Sequence, residues 1–455
     1  MATILVRDLK ILERLIKPLR VYNRSSFRIL KAFSIDSRSI TKGEGFIALK
    51  GKLCDGHEFI EEAVANGAAC IIAQKYVATK QQVPFLVVKD SYKALSAIVR
   101  LIRDKKKPFV YAITGSIGKT TTKEMLYFLL KDHCRVLKNK KTENNILGVA
   151  KTILSLKDQD VVIAELGTNQ KGEISTLSSM LAPNVGVITF IKPVHLEGLG
   201  SLRGILKEKL SLLSGNPKMK LVLNHDDMYL RRVKSTKNIY WFGSKDNLDL
   251  SAACKNRDSQ SSHFLIQDSF KLSLPRYREG FITDILAAVL AAHLYRIPIA
   301  KLVSKISKFK DFPSMRMQIQ KLNRLLILND AYNANPYSVK VGLKSLKDHP
   351  LRKIVVIGDM LELGKKSAYY HRLLAPQIIE NNFDYCLMLG RHTQHLKKSL
   401  SELGYRRAFH FLSHKDLAEF ISKKINLKQN RNQGYLVFLK GSRRMELEKV
   451  VSYLR

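Results

Sequence analysis

Eight consecutive residues, Thr114 to Thr121 (TGSIGKTT), carry the strongest chemical signal in the chain. An apolar run, FVYAITG, leads into them and a helical run, KTTTKEMLYFLLKD, leads away, the setting a phosphate-binding loop requires. Gly115 and Gly118 let backbone amides close around phosphate oxygens, Lys119 reaches the terminal phosphates, and Thr120 offers its hydroxyl to Mg²⁺. Ser116, Ile117 and Thr121 complete the candidate phosphate loop, which by itself implies only an NTP user. The position five residues before Gly118 is Ile113 rather than glycine, so the loop is the shortened GxxGK[ST] form. Two further residues stand where a nucleotide would be: Glu165 directly after DVVIA, and His195 after VGVITFIKPV. In open parallel sheets, ligands bind outside the carboxyl ends of the strands, and a carboxylate there suits a hard cation such as Mg²⁺. Taken alone, His195 reads as a hydrogen-bonded structural residue rather than a ligand, and Glu165 as a helix-start carboxylate.

The elements that must hold these residues follow from the hydrophobic pattern. FIALK, CIIAQ and PFLVVK read as strands of an N-terminal α/β region, with helices over HEFIEEAVANGAA and from Tyr92 to Arg103. A Lys-rich, Pro-closed stretch, Lys105 to Pro108, marks a boundary. Beyond it DVVIAELG, NVGVITFIKP and KLVLNHDD are apolar without period-2 alternation, which predicts a parallel sheet covered on both faces. A second boundary falls at Phe312 and Pro313, and RLLILNDAYNANP, KIVVIGDMLELG, YCLMLGR, RAFHFL and YLVFLKGS then predict a Rossmann-like region. The expected fold is α/β with three domains, 1–107, 108–313 and 314–455, as the 455-residue length suggests at roughly 150 residues per domain.

Composition bounds the function classes. Hydrophobic residues at 45% and charged residues at 26% exclude a disordered chain. The five cysteines are scattered with no CxxC pair, so neither a disulfide framework nor a zinc knuckle is suggested. The N-terminal MATILVRDLKILERLIKPLR reads as a surface helix rather than a targeting signal, and no apolar run is long enough to span a bilayer. The expected location is the cytoplasm. Lys and Arg total 78 against 39 Asp and Glu, a net +39. Such a balance fits nucleic acid, a phospholipid surface or phosphorylated small molecules, and equally a compositional bias.

The motifs taken together resemble the Mur ligase family. The matching segments, in the family's order, are DSRSITKGEGFIALKG from Asp36, DGHEFIEEAVANGA from Asp55, TGSIGKTTTKEM, NNILGV from Asn144, ELGTNQKGEI, and HLEGLGSLRGILKEK from His195. DAYNANPYS from Asp330, GDMLELG from Gly358 and KGSRRM from Lys440 complete the set. DAYNANP and GDMLELG belong to the MurF-like branch. TGxxGKTT is shared with folylpolyglutamate synthases. The resemblance implies an N-terminal UDP-binding domain, a central ATPase domain and a C-terminal ligase domain. It also implies ATP-dependent joining of D-alanyl-D-alanine to UDP-MurNAc-tripeptide through an acyl phosphate.

Carried onto this sequence, the family pattern puts Thr120, Glu165, His195 and a carbamylated Lys209 on Mg²⁺, with Lys119 in catalysis. Arg316, Asp330 and Asn333 would join Gly115 to Thr121 on ATP, and Asn335 would meet the incoming dipeptide. Ser37, Arg38, Asp55, Gly56 and His57 would grip the UDP end. Asp330 and Asn333 also read as helix caps, and Lys440 to Arg443 as an anion site or a surface turn. ATP is expected to bring Arg316 and Asp330 to the phosphate loop by domain closure. The chain departs from the family at Ile117, at Asn329-Asp330, at Ser211 after the modified lysine, and at Ile282, Thr283 and Leu286, which replace polar positions of the adenine-seating segment near Gly280. A monomer, without stable nucleic-acid binding and with loose membrane-surface association at most, is expected. Two other readings are a related ligase with another acceptor and a nucleic-acid-dependent NTPase. No RRM-like aromatic motif, recognition helix or zinc finger supports the second.

Overall fold

A computed structural model of the chain describes residues 6–51, 53–140, 143–234, 236–258, 260–424 and 434–455. Three α/β sheets organise them. In the first, strands Ala32–Ser34, Glu44–Ile47, Ala68–Ala73 and Phe85–Val87 lie parallel in that order, and Arg20–Tyr22 adds an antiparallel edge. Phe46, Ile60, Val64, Ile71 and Phe85 form its core with the helix Ile60–Ala65 on top.

The second sheet runs Val136–Lys138, Val161–Glu165, Phe109–Thr114, Val185–Ile188, Lys220–Asn224, Ile239–Gly243, Leu250–Arg257, Ser261–Ile266 and Phe270–Pro275. All five residues of Val161–Glu165 are buried, as expected for a strand covered on both faces. The parallel expectation fails at one end, where the last three strands form an antiparallel meander. There burial alternates along Ser261–Ile266, so one face is wet. The turn uses Gln267 and Asp268 at positive φ, without the Asn-Gly or Asp-Gly pair that announces a tight hairpin in sequence.

The third sheet orders Gln318–Leu322, Leu325–Asn329, Tyr435–Lys440, Arg352–Gly358, Tyr385–Leu389 and Ala408–Phe411. It is parallel except for its first strand. Successive residues face opposite sides and both sides are apolar. Val355, Ile357, Leu436 and Phe438 enter one core, and Ile354, Val356, Val437 and Leu439 the other.

The chain divides into two compact units, Met1–Thr114 with Leu130–Val187 and Glu208–Leu221, and Gly115–Leu129 with Ile188–Lys207 and Val222–Arg455. Segment 1–107 lies in the first and 314–455 in the second, while 108–313 contributes to both. The stretch Lys105 to Pro108 closes a helix and leads into the strand Phe109–Thr114. The helix Ser91–Lys106 ends on Lys107 at φ 50°, and Arg103 donates to the carbonyls of Leu181 and Ala182, each at 2.9 Å. At the N-terminus, residues 1–5 lie outside the described residues, and Leu9–Ile16 is a helix capped by Asp8 that buries Leu9 and Leu12. Among the described residues no helix is long and apolar enough to cross a membrane.

Phe438 is fully buried, and its ring lies 2.5 Å from where a Cβ on Gly342 would stand. Phe438→Ala should cost about 3–5 kcal/mol by cavity formation. Gly342→Ala should cost about 1–3 kcal/mol by overpacking the same spot. Urea unfolding midpoints of the two variants check both.

Candidate active site

The phosphate loop is held from behind by the end of the strand Val185–Ile188 and the residues that follow it. Ser116 N–H donates to the Phe190 carbonyl at 2.8 Å, its hydroxyl donates to the Lys192 carbonyl at 2.9 Å, and Lys192 N–H returns to that hydroxyl at 2.8 Å. The Thr189 hydroxyl donates to the Ile117 carbonyl, which fixes the loop crest through backbone whatever side chain stands at 117. Gly115 and Gly118 sit at φ 148° and 83°, and added Cβ atoms would lie 2.0 Å from Thr189 Oγ1 and 2.2 Å from Asp284 Oδ1. Glycine is required at both places by backbone conformation and by lack of room. Lys119 donates to the Gly115 carbonyl at 2.9 Å and opens the helix Lys119–Leu130.

Arg316 is already at this loop. Its Nη2 donates to Thr120 Oγ1 at 3.1 Å and its guanidinium lies 4.4 Å over the Tyr332 ring, so the expected closure is not needed to bring it there. Asp284, which sequence reasoning missed, presses against Gly118 from the helix Ile282–His293 and lies 3.5 Å from the Thr122 hydroxyl. Burial pushes its carboxyl up to about 7, against the opposing pull of Arg316 and Thr122. Its only sequence signal is an acid inside an otherwise apolar helix. On the same helix Leu286 is buried, and Ile282 and Thr283 are partly covered.

The other candidates of this unit are paired among themselves. Asp330 accepts from Met317 N–H at 3.2 Å and forms an ion pair with Lys440, which is 3% exposed. Lys440 is therefore a buried partner of Asp330 and not part of a surface turn. The helix cap expected of Asp330 or Asn333 belongs to Asn335, whose side chain accepts from Ser338 N–H at 2.9 Å in a capping box. Asn333 accepts from the next backbone N–H, that of Ala334, at 2.9 Å. His195, at φ 51°, places Nδ1 2.6 Å from Glu362 Oε2, and Glu362 is itself at φ 65°. Non-glycine residues in this region store of order 1–3 kcal/mol each and persist only where neighbours over-determine them. The hydrogen bond from His195 holds the Glu362 carboxyl below the usual range despite partial burial, with Arg444 and Lys119 adding to the effect.

In the first unit, Glu165 is 2% exposed and is framed by two asparagines. Asn139 bonds both its backbone groups, and Asn144 Nδ2 donates to Oε1 at 3.0 Å. Lys209, one basic residue among many in sequence, is buried in the helix Leu202–Leu210. Its neighbour Glu208 accepts from the N–H groups of Gly172 and Ile174 at 2.7 and 2.9 Å, at the start of the helix Glu173–Leu181. Ser211, the departure after Lys209, donates to the Glu208 carbonyl at 2.7 Å. Taken one by one, the Thr120 hydroxyl and the Glu165 carboxylate are the oxygen donors a hard divalent cation prefers, and the His195 imidazole is a less usual ligand for it. Among the described residues no three His, Cys, Asp or Glu side chains form a ready-made metal cage, which Mg²⁺ held largely by phosphates does not require.

The candidate UDP residues are mostly engaged too. His57 is buried with Nδ1 2.6 Å from Asp55 and Nε2 accepting from Gln74 N–H at 3.0 Å, so both ring nitrogens are committed. Gly56 lies against the Leu49 backbone, 2.7 Å from its would-be Cβ. Ser37 donates to Glu62 at 2.7 Å. Arg38 makes a two-pronged pair with Asp36, each bond 2.9 Å, and leaves most of its side chain in solvent.

Family models match three consecutive stretches: Mur ligase family, catalytic domain, at residues 30–108; Mur ligase middle domain at 113–292; and Mur ligase, glutamate ligase domain, at 315–443. The chain is 30% identical over 439 residues to the UDP-N-acetylmuramoyl-tripeptide–D-alanyl-D-alanine ligase of Haemophilus influenzae, with 94% of each covered. It is 32% identical over 444 residues to that of Buchnera aphidicola subsp. Baizongia pistaciae, again with 94% of each covered. Among solved structures, MurF from Acinetobacter baumannii superposes with a TM-score of 0.87 at 25% identity, covering 100% of this chain and 99% of that one. MurF from Thermotoga maritima in complex with ADP gives 0.81 at 26% identity, covering 93% and 96%.

Gly118→Ala should abolish nucleotide binding measured by calorimetry, because the loop must move off Asp284. The Asp284 carboxyl titrates near 3.8 when unfolded and about 7 when folded. The folded protein therefore holds an extra proton between those values, and stability falls as pH rises across that window. Asp284→Asn should lose less melting temperature than the native protein as pH rises from about 4 to about 7.

Proposed function

Because the chain belongs to the Mur ligase family, we infer that it joins D-alanyl-D-alanine to UDP-MurNAc-tripeptide at the expense of ATP, a MurF-type step in peptidoglycan precursor synthesis. The observation that carries this reading is the phosphate loop at Thr114 to Thr121, within a chain alignable over 94% of its length to ligases of that name. The three family-model matches support a division into 1–107, 108–313 and 314–455, for the UDP-substrate, ATP and ligase domains.

A free carboxylate is a poor acyl donor. One of its oxygens attacks the γ-phosphorus of ATP, the bond to the β-phosphate oxygen breaks, and ADP leaves an acyl phosphate behind. The dipeptide amine then attacks the acyl carbon, and the tetrahedral intermediate collapses with loss of a proton and inorganic phosphate. The protein's part is positioning and charge neutralisation. Lys119 and the amides opening the helix Lys119–Leu130 bear on the transferring phosphoryl group, and Arg316 adds its guanidinium from Thr120. Asp330 and Asn333 serve the nucleotide, Asn335 the dipeptide, and Ser37, Arg38, Asp55, Gly56 and His57 the UDP end. Thr120, Glu165, His195 and Lys209 as its carbamate are the Mg²⁺ ligands of this reading. When bound, the cation supplies neutralisation of phosphate charge. Carbamylation would turn the buried Lys209 from a cation into a carboxylate-like group, whose charge a bound divalent cation would offset.

The ligands implied are ATP, Mg²⁺, a UDP-sugar peptide and a dipeptide. A cytoplasmic monomer without nucleic-acid partners fits them, and most of the +39 charge is surplus to their needs beyond loose surface association.

Phosphate release by purified protein should require ATP, UDP-MurNAc-tripeptide and D-alanyl-D-alanine together, and turnover without the dipeptide would overturn the reading. Lys119→Ala should lower kcat by about 10²–10³-fold, the scale for removing one preorganised charge-stabilising group. Turnover with GTP equal to that with ATP would remove the adenine assignment at the helix Ile282–His293, where Ile282, Thr283 and Leu286 stand.

A further inference from the structure

GDMLELG identifies a branch of the family, yet the reaction as derived above gives its Glu362 no task. We infer that Glu362 is the positioning residue of His195: its carboxylate holds the imidazole as the Nδ1–H tautomer and reserves the Nε2 lone pair for a divalent cation. This rests on the ligase reading above.

The geometry is direct. Glu362 Oε2 lies 2.6 Å from His195 Nδ1, and the imidazole is largely covered, with 20% of its side chain exposed. An ionised carboxylate only accepts hydrogen bonds, so Nδ1 must carry the proton and a neutral ring presents Nε2 as its acceptor. A carboxylate behind a metal-binding histidine fixes ring orientation and raises ligand basicity.

The loop that presents Glu362 is anchored at each preceding residue. The Asp359 carboxylate accepts from His392 and Thr393 N–H, both at 2.9 Å, and its carbonyl accepts from Ser442 N–H at 3.0 Å. Met360 N–H donates to His371 Nε2 at 3.1 Å, and Leu361 N–H to Ser442 Oγ at 2.9 Å. Two residues on, the space where Gly364 would carry a Cβ is 3.3 Å from Glu197 Cγ, so the loop also lies against the helix that His195 caps. Both paired residues hold positive φ, a conformation neither adopts freely. A fixed loop, two over-determined backbones and one short hydrogen bond together orient a single imidazole.

The test compares native protein, Glu362→Ala and Glu362→Gln, with circular dichroism as the check on folding. Nitrogen-15 spectra of the metal-free proteins read the tautomer, the His195 resonances being picked out from the 12 histidines by His195→Gln. Recorded at a pH high enough to leave the ring neutral, native protein and Glu362→Gln, whose amide oxygen still accepts, should show Nδ1–H with unprotonated Nε2, and Glu362→Ala should shift toward the other tautomer. Paramagnetic titration with Mn²⁺ in the presence of ADP should show a 10–100-fold weaker site in Glu362→Ala and partial rescue in Glu362→Gln. An unchanged tautomer in Glu362→Ala overturns the proposal. So does intact Mn²⁺ binding with a raised KM for the dipeptide alone, which would put the carboxylate on the acceptor's ammonium group. If the ligase reading itself fails, native protein releases no dipeptide-dependent phosphate, while the tautomer and Mn²⁺ measurements still report on Glu362.

Discussion

The site depends on two absent side chains. A loop that binds phosphate through backbone amides must turn its N–H groups inward, which at Gly115 and Gly118 means positive φ with other residues pressed against the outer side. Thr189 and Asp284 occupy the space that Cβ atoms would need, and the Ser116–Lys192 hydrogen bonds clamp the loop to the strand end behind it. The shape of the loop is thus held by the protein's own contacts. Arg316, placed on Thr120, belongs to the same assembly.

The remaining charged groups follow a second constraint. A buried charge without a partner is costly, so a site rich in ionisable groups must satisfy them before its ligand is bound. Asp330 with Lys440 in one unit and Asp55 with His57 in the other are pairs of this kind, while His195 with Glu362 and Arg38 with Asp36 each leave one partner largely in solvent. A ligand that engaged such a residue would exchange partners with it rather than be captured by bare charge. Residues whose partner is structural, such as His57 with both nitrogens committed, have the least freedom to exchange. Arg38, mostly in solvent, has the most.

Periodicity and turn chemistry made most of the fold legible. Unbroken apolar runs such as DVVIA and KIVVIG announced strands covered on both faces, and the glycines of TGSIGKTT marked the strand-to-helix loop. The antiparallel meander over Leu250–Pro275 was not announced, because its alternation is short and its turn lacks a hairpin dipeptide. Residue type and position after apolar runs singled out Glu165 and His195 as candidates. Asp284, Glu208, Asn139 and Glu362 escaped notice, since each matters only through a partner distant in the chain: 118, 172–174, 165 and 195.

By itself the sequence determined the α/β class, the phosphate loop and the family motifs, all of which are local patterns of a few residues acting on their own backbone. Only the tertiary structure decided which charges pair, that Lys440 is buried on Asp330, that Asn335 rather than Asp330 or Asn333 caps its helix, and that Glu362 meets His195. The reason is physical. A glycine's conformational freedom is written in one residue, whereas the state of a carboxylate or an imidazole is set by whatever the fold brings within 3 Å of it.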